Sequence, residues 1–227
     1  MTLYIVATPI GNLEDITLRA LRVLKEVDLI LCEDTRTTGK LLAHYEIQNK
    51  TMSYHANSTL QKHDKILELL KEGKTIALVS DAGTPCISDP GILLVQHVQK
   101  EIPDCKIIPI PGASALVSAL SASGISAAEF HFFGFLPHKK GRETIFETIR
   151  SAKYASVFYE SPHRIEKTLE SLSKVLEKGR EVVIAREITK MFEEFVKGDI
   201  DFVKKYFETN KDKIRGEFVV IVDAIHK

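Results

Sequence analysis

Thr75–Gly91 reads TIALVSDAGTPCISDPG, and its opening decides the fold. Ile76-Ala77-Leu78-Val79 is a continuous apolar run with no polar alternation. A strand with one face in water alternates, whereas one buried on both faces of a parallel sheet does not. The run stops in Ser80-Asp81-Ala82-Gly83-Thr84-Pro85, and Ser88-Asp89-Pro90-Gly91 follows. Asp89 is expected to cap the next helix, with Pro90 at its first position. Strand, small-residue loop and helix are how an open α/β sheet holds a ligand at the carboxyl ends of its strands. Gly83 has no Cβ to keep a ligand away from the backbone. The loop is therefore the expected floor of a ligand site.

Upstream, Leu3–Ala7 reads as a first buried strand ending in Thr8-Pro9-Ile10-Gly11-Asn12. Ile16, Ala20, Leu24 and Val27 recur at helical spacing behind Asp15, a candidate cap. A strand at Leu29–Cys32, a helix through Leu41 and Leu42, an extended piece at Thr51–Tyr54 and a helix carrying Ile66, Leu67 and Leu70, with Ser58 as its cap, follow. After the central strand come a helix from Gly91 to Lys100 and a strand at Lys106–Ile110. This alternation argues for a mostly parallel sheet with helices on both faces.

Pro111-Gly112-Ala113-Ser114-Ala115 breaks the rhythm, so two α/β/α domains are expected, 1–111 and 112–227. Strands are expected at Phe130–Phe135, Ser156–Tyr159, Glu181–Arg186, Glu193–Val196 and Phe218–Val222, with helices at Arg142–Arg150 and Arg164–Leu176. The gap between the third and fourth of these strands is too short for a parallel crossover, so the second sheet is mixed.

Lys+Arg and Asp+Glu each number 31, so there is no global basic field, and a polyanion would need a local patch. No apolar run approaches the roughly 18 residues of a membrane span. The N-terminus has no basic leader, so a cytoplasmic protein is expected. Cys32, Cys86 and Cys105 lack metal-ligand spacing and read as reduced thiols. No metal is expected.

The turns Thr8–Asn12, Glu33–Arg36 and Ser80–Pro85 close strands of one parallel sheet and should meet at one edge. A G-x-G-x-x-G or P-loop pattern is missing from them, which argues against a dinucleotide or nucleoside triphosphate. Glu33 and Asp34 follow the second strand where a ribose-binding acid would stand, with Arg36 beside them as a possible partner. In the second half, Glu160, Ser161, Pro162, His163 and Arg164 form one turn, with Ser161 as a candidate cap and Pro162 as the first helical residue. Arg186, Glu187, Ile188, Thr189 and Lys190 form another charged turn, followed by Glu193. His138-Lys139-Lys140-Gly141-Arg142 is a basic run that could meet a polyanion or stay solvated. Phe130, Phe132, Phe133 and Phe135 beside it are expected in the core rather than as stacking platforms.

In this order ATPIGNLEDIT, CEDTR, SDAGTPCISDPG, PGASA, FGFLP, YESPHR and ARE-x-TK resemble the tetrapyrrole methylase superfamily over nearly the whole chain. They are most similar to its branch that methylates small-subunit ribosomal RNA. The resemblance implies two α/β domains with S-adenosylmethionine in the cleft between them, and a homodimer. It places cofactor contacts at Pro9, Ile10, Ala82, Gly83, Thr84, Ile87, Ser114, Ala115, Glu160 and Ile188. Asn12 stands where tetrapyrrole-modifying members have an aspartate, which tilts the acceptor away from a porphyrinoid. The implied reaction is methylation of the ribose 2′-OH of a decoding-region cytidine in 16S rRNA, within an assembled small subunit. A tetrapyrrole, a protein side chain, or binding without turnover are the alternatives. Members of the branch commonly carry a further C-terminal segment that would follow Lys227. A 2′-OH needs a base, for which Asp34, Glu160, His163, Glu187 and Glu193 are candidates. Arg36, Arg164, Arg186 and Lys190 are candidates to steer phosphates or stabilise the developing alkoxide.

Overall fold

The computed structural model describes residues 1–55, 58 and 60–225. The chain folds as two compact units, Met1–Ser114 and Ala115 onward. Among the described residues no helix is long and apolar enough to cross a membrane.

The first unit runs β1 (Thr2–Val6), α1 (Leu18–Glu26), β2 (Leu29–Cys32), α2 (Thr35–His44), β3 (Thr51–Ser53), α3 (Leu60–Lys71), β4 (Thr75–Leu78), α4 (Ile92–Glu101) and β5 (Lys106–Ile110). Its sheet has the order β3-β2-β4-β1-β5, with every pairing parallel. The unbroken apolar strands face two cores. Val6, Ile30, Ala77 and Val79 pack with Val23 and Leu24 of α1 and Leu42 of α2. Leu3, Leu31, Ile76 and Leu78 pack on the other face with Leu70 of α3 and Leu94 of α4. Neighbouring strands β2 and β4 therefore send their chains to opposite faces. That divergence is the topological switch point at which open α/β sheets bind ligands.

The second unit runs α5 (Ala115–Ser123), β6 (Phe130–Phe135), α6 (Arg142–Arg150), β7 (Ala155–Glu160), α7 (Ile165–Val175), β8 (Glu181–Arg186), β9 (Glu194–Asp199), α8 (Ile200–Thr209) and β10 (Phe218–Val222). Its sheet, β6-β7-β10-β8-β9, is parallel only at β6–β7 and antiparallel elsewhere, so the mixed sheet is present. Phe158, Phe207 and Phe218 are fully enclosed with residues of α6, α7 and α8. Each such ring contributes about 1.5–3 kcal/mol of burial.

Several expected helix starts shift. Asp15 belongs to a short 3₁₀ turn, and Thr17 caps α1 by accepting from the Ala20 N–H. Asp89 and Pro90 precede α4, whose cap is Gly91 at φ +133°; a Cβ there would lie 2.6 Å from Cys86 Sγ and from Leu78 Cδ2. Ser161 supports α7 through its carbonyl, which accepts from the Arg164 and Ile165 N–H groups, and Pro162 lies before the helix. The Ser58 hydroxyl accepts from the His55 N–H, and the residue directly before α3 lies outside the described residues. Ser58 shows the general point, that a short polar side chain readily bonds nearby backbone instead of capping the helix. Helix α8, capped by Asp199, was not foreseen. Phe130 and Phe135 are 40 % and 58 % exposed, contrary to the core placement, because β6 is an edge strand and turns them outward; Phe133 does pack on the core.

Candidate functional site

Four chain segments leave the first unit's sheet at one edge, and they are bonded to one another. Thr8 and Gly83 exchange N–H···O bonds of 2.9 and 3.0 Å, joining the exits of β1 and β4. Thr8 Oγ1 also donates to the Ser80 carbonyl at 3.1 Å. Thr84 Oγ1 donates to the Ala113 carbonyl at 3.1 Å, which adds the exit of β5. The Asp34 N–H donates to Asp81 Oδ1 at 3.1 Å, which adds β2 across the switch point.

This floor depends on missing side chains. Gly83 sits at φ +80°, in the left-handed region that L residues avoid, with its Cβ direction 3.3 Å from Ile10 Cγ2. A Cβ on Gly112 would lie 2.8 Å from that of Ala7. Pro9, Ile10 and Gly83 are buried, Thr84 and Ser114 are half-buried, and Ala82 and Ile87 are exposed. Thus Pro9, Ile10, Ala82, Gly83, Thr84 and Ser114 lie on connected loops, with Ala115 beginning α5 directly after them.

The same edge carries carboxylates in contrasting states. Asp34 caps α2 and is held at a pKa of about 2 by hydrogen bonds from the Arg36 side chain and backbone. Arg36 is bound back by Asp34 at 2.7 Å. Asp89 is pushed up to about 6 by burial and by the charges of Glu33 and Asp81, against a hydrogen bond from Ser80. Burial, with Asp81, also raises Glu33. Asp89 reads as a helix cap in the sequence, which hides its place among these carboxylates.

In the second unit, strand register brings the remaining candidates to one end of the sheet. Phe218 at the start of β10 pairs with Glu160 on one side and Arg186 on the other. The Glu160 side chain is wholly buried. Its Oε2 accepts from Arg142 at 3.1 Å and Thr168 at 2.7 Å, and its Oε1 accepts from the Ser161 N–H at 2.8 Å. Arg164 Nε is ion-paired to Oε1 at 2.8 Å. Both oxygens of this carboxylate are engaged, and its evident work is to hold two arginines. Arg142 reads in sequence only as part of a basic run, and neither it nor Thr168 is joined to Glu160 by anything in its local sequence.

Arg186 is buried, donates to the Phe192 carbonyl at 3.1 Å and lies 3.4 Å from Glu194. Lys190 bridges Glu187 at 2.9 Å and Glu217 at 2.8 Å. Partial burial opposes the Lys190 charge, but these two partners outweigh it and raise its pKa. Burial likewise opposes the Glu187 charge, yet Lys190 and the Glu217 N–H lower its pKa. Glu193 accepts from the Thr189 N–H at 2.6 Å, Ile188 is buried and His163 is exposed. Among the described residues no group of three or more His, Cys, Asp or Glu side chains could hold a metal ion.

The chain, a doubly wound sheet with a glycine-dependent floor followed by a mixed-sheet unit, belongs to the tetrapyrrole (corrin/porphyrin) methylase family, whose model matches residues 2–203. Its curated relatives include "Ribosomal RNA small subunit methyltransferase I" of Halalkalibacterium halodurans, 49 % identical over 98 % of this chain and 76 % of that protein. The protein of the same name from Thermotoga maritima is 46 % identical, covering 98 % of both chains. Among solved structures, diphthine synthase superposes with a TM-score of 0.73 at 14 % identity, over 99 % of this chain and 90 % of that one. Uroporphyrin-III C-methyl transferase from Thermus thermophilus, complexed with S-adenosylhomocysteine, gives 0.67 at 17 % identity, over 98 % and 97 %.

Proposed function

We propose that the chain is an S-adenosylmethionine-dependent methyltransferase that modifies the ribose 2′-oxygen of a cytidine in the decoding region of small-subunit rRNA. The observation that carries the reading is the floor closed by Thr8 and Gly83 at the switch point, in a chain whose relatives bear the rRNA methyltransferase name. The floor fits the cofactor in that Gly83 and Gly112 let the loops it would rest on pack closely, a Cβ at either position meeting Ile10 or Ala7. Pro9, Ile10, Ala82, Gly83, Thr84, Ile87, Ser114 and Ala115 would hold it, with Ile188 as a contact from the second unit. The cofactor supplies an electrophilic methyl group on a sulfonium.

The protein's part is alignment and proton management. Asp89, raised to about 6 by burial beside Glu33 and Asp81, follows the β4 exit loop that forms the floor, and we assign it the proton of the 2′-OH. His163 is the alternative base on the second unit. Arg164, Arg186 and Lys190 shape the charged turns there, and Glu160 positions Arg142 and Arg164. A cytoplasmic homodimer acting on assembled small subunits belongs to the same reading. Incubating the protein with labelled methyl donor and small subunits, protein-free 16S rRNA or uroporphyrinogen tests it. Label in the decoding-region cytidine is expected, and label only in the porphyrinoid would overturn the assignment.

A further inference from the structure

The exits of β6, β7 and β8 and the entry of β10 share one end of the second unit's sheet, and the charges there divide into two groups. Segments 136–143, 160–164, 186–194 and 213–217 hold eight Lys and Arg against six Glu, although the whole chain is neutral. Glu160, Glu187 and Glu194 are turned inward, Glu143, Glu193 and Glu217 are exposed, and all but Glu143 are engaged in ties. Glu160 holds Arg142 and Arg164, which donate to the carbonyls of Pro137 at 3.2 Å and Leu136 at 2.8 Å. Those bonds fix the base of the loop that carries His138, Lys139 and Lys140 into solvent. Glu187 and Glu217 hold Lys190, Glu194 holds Lys213, and Glu193 accepts from the Thr189 N–H. Only Glu143 of the six lacks such a tie among the described residues.

Left over are Lys139, Lys140 and Arg215, all exposed and without a carboxylate partner among the described residues. At the same end of the sheet the β8–β9 turn is pinned by its own bonds. Glu187 and Thr189 are left-handed at φ +51° and +67°, and Arg186 clamps the Phe192 carbonyl. Yet that turn holds Met191 and Phe192 out in water, 91 % and 64 % exposed. A turn that uses its charges internally and displays its apolar side chains has the polarity of a binding tip rather than of a solvated hairpin.

We propose that this end of the second unit is the RNA grip, with Lys139, Lys140 and Arg215 on phosphates and Phe192, backed by Met191, against an unstacked base. The inference rests on the rRNA reading and names its contact surface. Free cations and an exposed aromatic at one end of the sheet match single-stranded or splayed RNA, which offers phosphate charge and a bare base face together. The basic run that sequence alone left open between solvent and polyanion thereby gains a role.

The test measures binding of purified small subunits and of a decoding-region RNA hairpin to three proteins: wild type, K139A/K140A/R215A and M191A/F192A. Each lost phosphate contact removes about 0.7–0.9 from the slope of log affinity against log salt. The cation variant should therefore lose about two from that slope, with affinity down more than roughly tenfold at low salt. M191A/F192A should weaken binding roughly tenfold with the slope unchanged. Both should keep wild-type melting and S-adenosylhomocysteine affinity, and K25A/K71A/K178A should bind RNA like wild type. An unchanged slope in the cation variant, equal losses in K25A/K71A/K178A, or binding to anionic phospholipid vesicles instead of RNA would each overturn the grip. Intact methyl transfer with an unchanged slope sinks the grip alone. RNA binding that depends on these residues without methyl transfer sinks the functional reading and leaves the grip standing.

Discussion

Glu160 and Arg142, 18 residues apart in sequence, meet at 3.1 Å with the acid side chain wholly buried and the arginine 14 % exposed. Arg164 and Thr168 complete the arrangement, so one carboxylate fastens the β6–α6 loop to the start of α7. Removing one partner of a buried pair leaves the other charge without compensation. Glu160→Gln is therefore expected to destabilise the fold by about 3 kcal/mol, measured by urea unfolding. It should also raise the KM for small subunits more than it lowers kcat, since the basic loop loses its anchor. Wild-type stability in that variant would remove the positioning role.

Gly112→Ala brings a methyl group to 2.8 Å from the Ala7 Cβ, where neither neighbour has a flexible end to move. The β1 and β5 exits must part, and the cofactor floor parts with them. Affinity for S-adenosylhomocysteine should fall at least roughly tenfold by calorimetry, in line with an overpacking cost of about 1–3 kcal/mol. RNA affinity should not move.

Asp89 gives a pH dependence of definite sign. Its folded pKa of about 6 lies above the ordinary 3.8. Between those values the folded state binds more protons than the unfolded one, so this group's contribution to stability falls as pH rises through that window. Asp89→Asn should consequently be more stable than wild type above pH 7 by about 1–2 kcal/mol after allowance for solvent screening, and the advantage should vanish below about pH 4. If Asp89 takes the 2′-OH proton, kcat/KM in the wild type rises through pH 6 and the variant loses that limb. A variant that keeps the limb removes the role from Asp89.

Gly216 sits at φ +81°, with its Cβ direction 2.1 Å from the Glu187 carboxyl. Gly216→Ala should displace Glu187, leave Lys190 with Glu217 as its one remaining partner and loosen the turn that presents Met191 and Phe192. Weaker RNA binding with unchanged S-adenosylhomocysteine affinity is the expected result, read by filter binding and calorimetry. Equal loss of both would mean that the unit itself has unfolded.

What the sequence by itself determined was whatever depends on local pattern. Ile76–Val79 without alternation meant a doubly buried strand, and the spacing of Ile66, Leu67 and Leu70 meant a helix face. The ordered motifs carried the family, because their glycines and prolines fix backbone shapes without help from distant residues. Tertiary structure alone decided which polar groups are spent and which are free. Glu160, Asp34 and Lys190 read alike as loop charges, yet one is sealed between arginines, one is clasped by its neighbour and one bridges two glutamates. Asp89 reads as a cap but lies among carboxylates from another strand. A side chain's charge state is set by burial and by partners brought from far along the chain, and neither is written in its immediate surroundings.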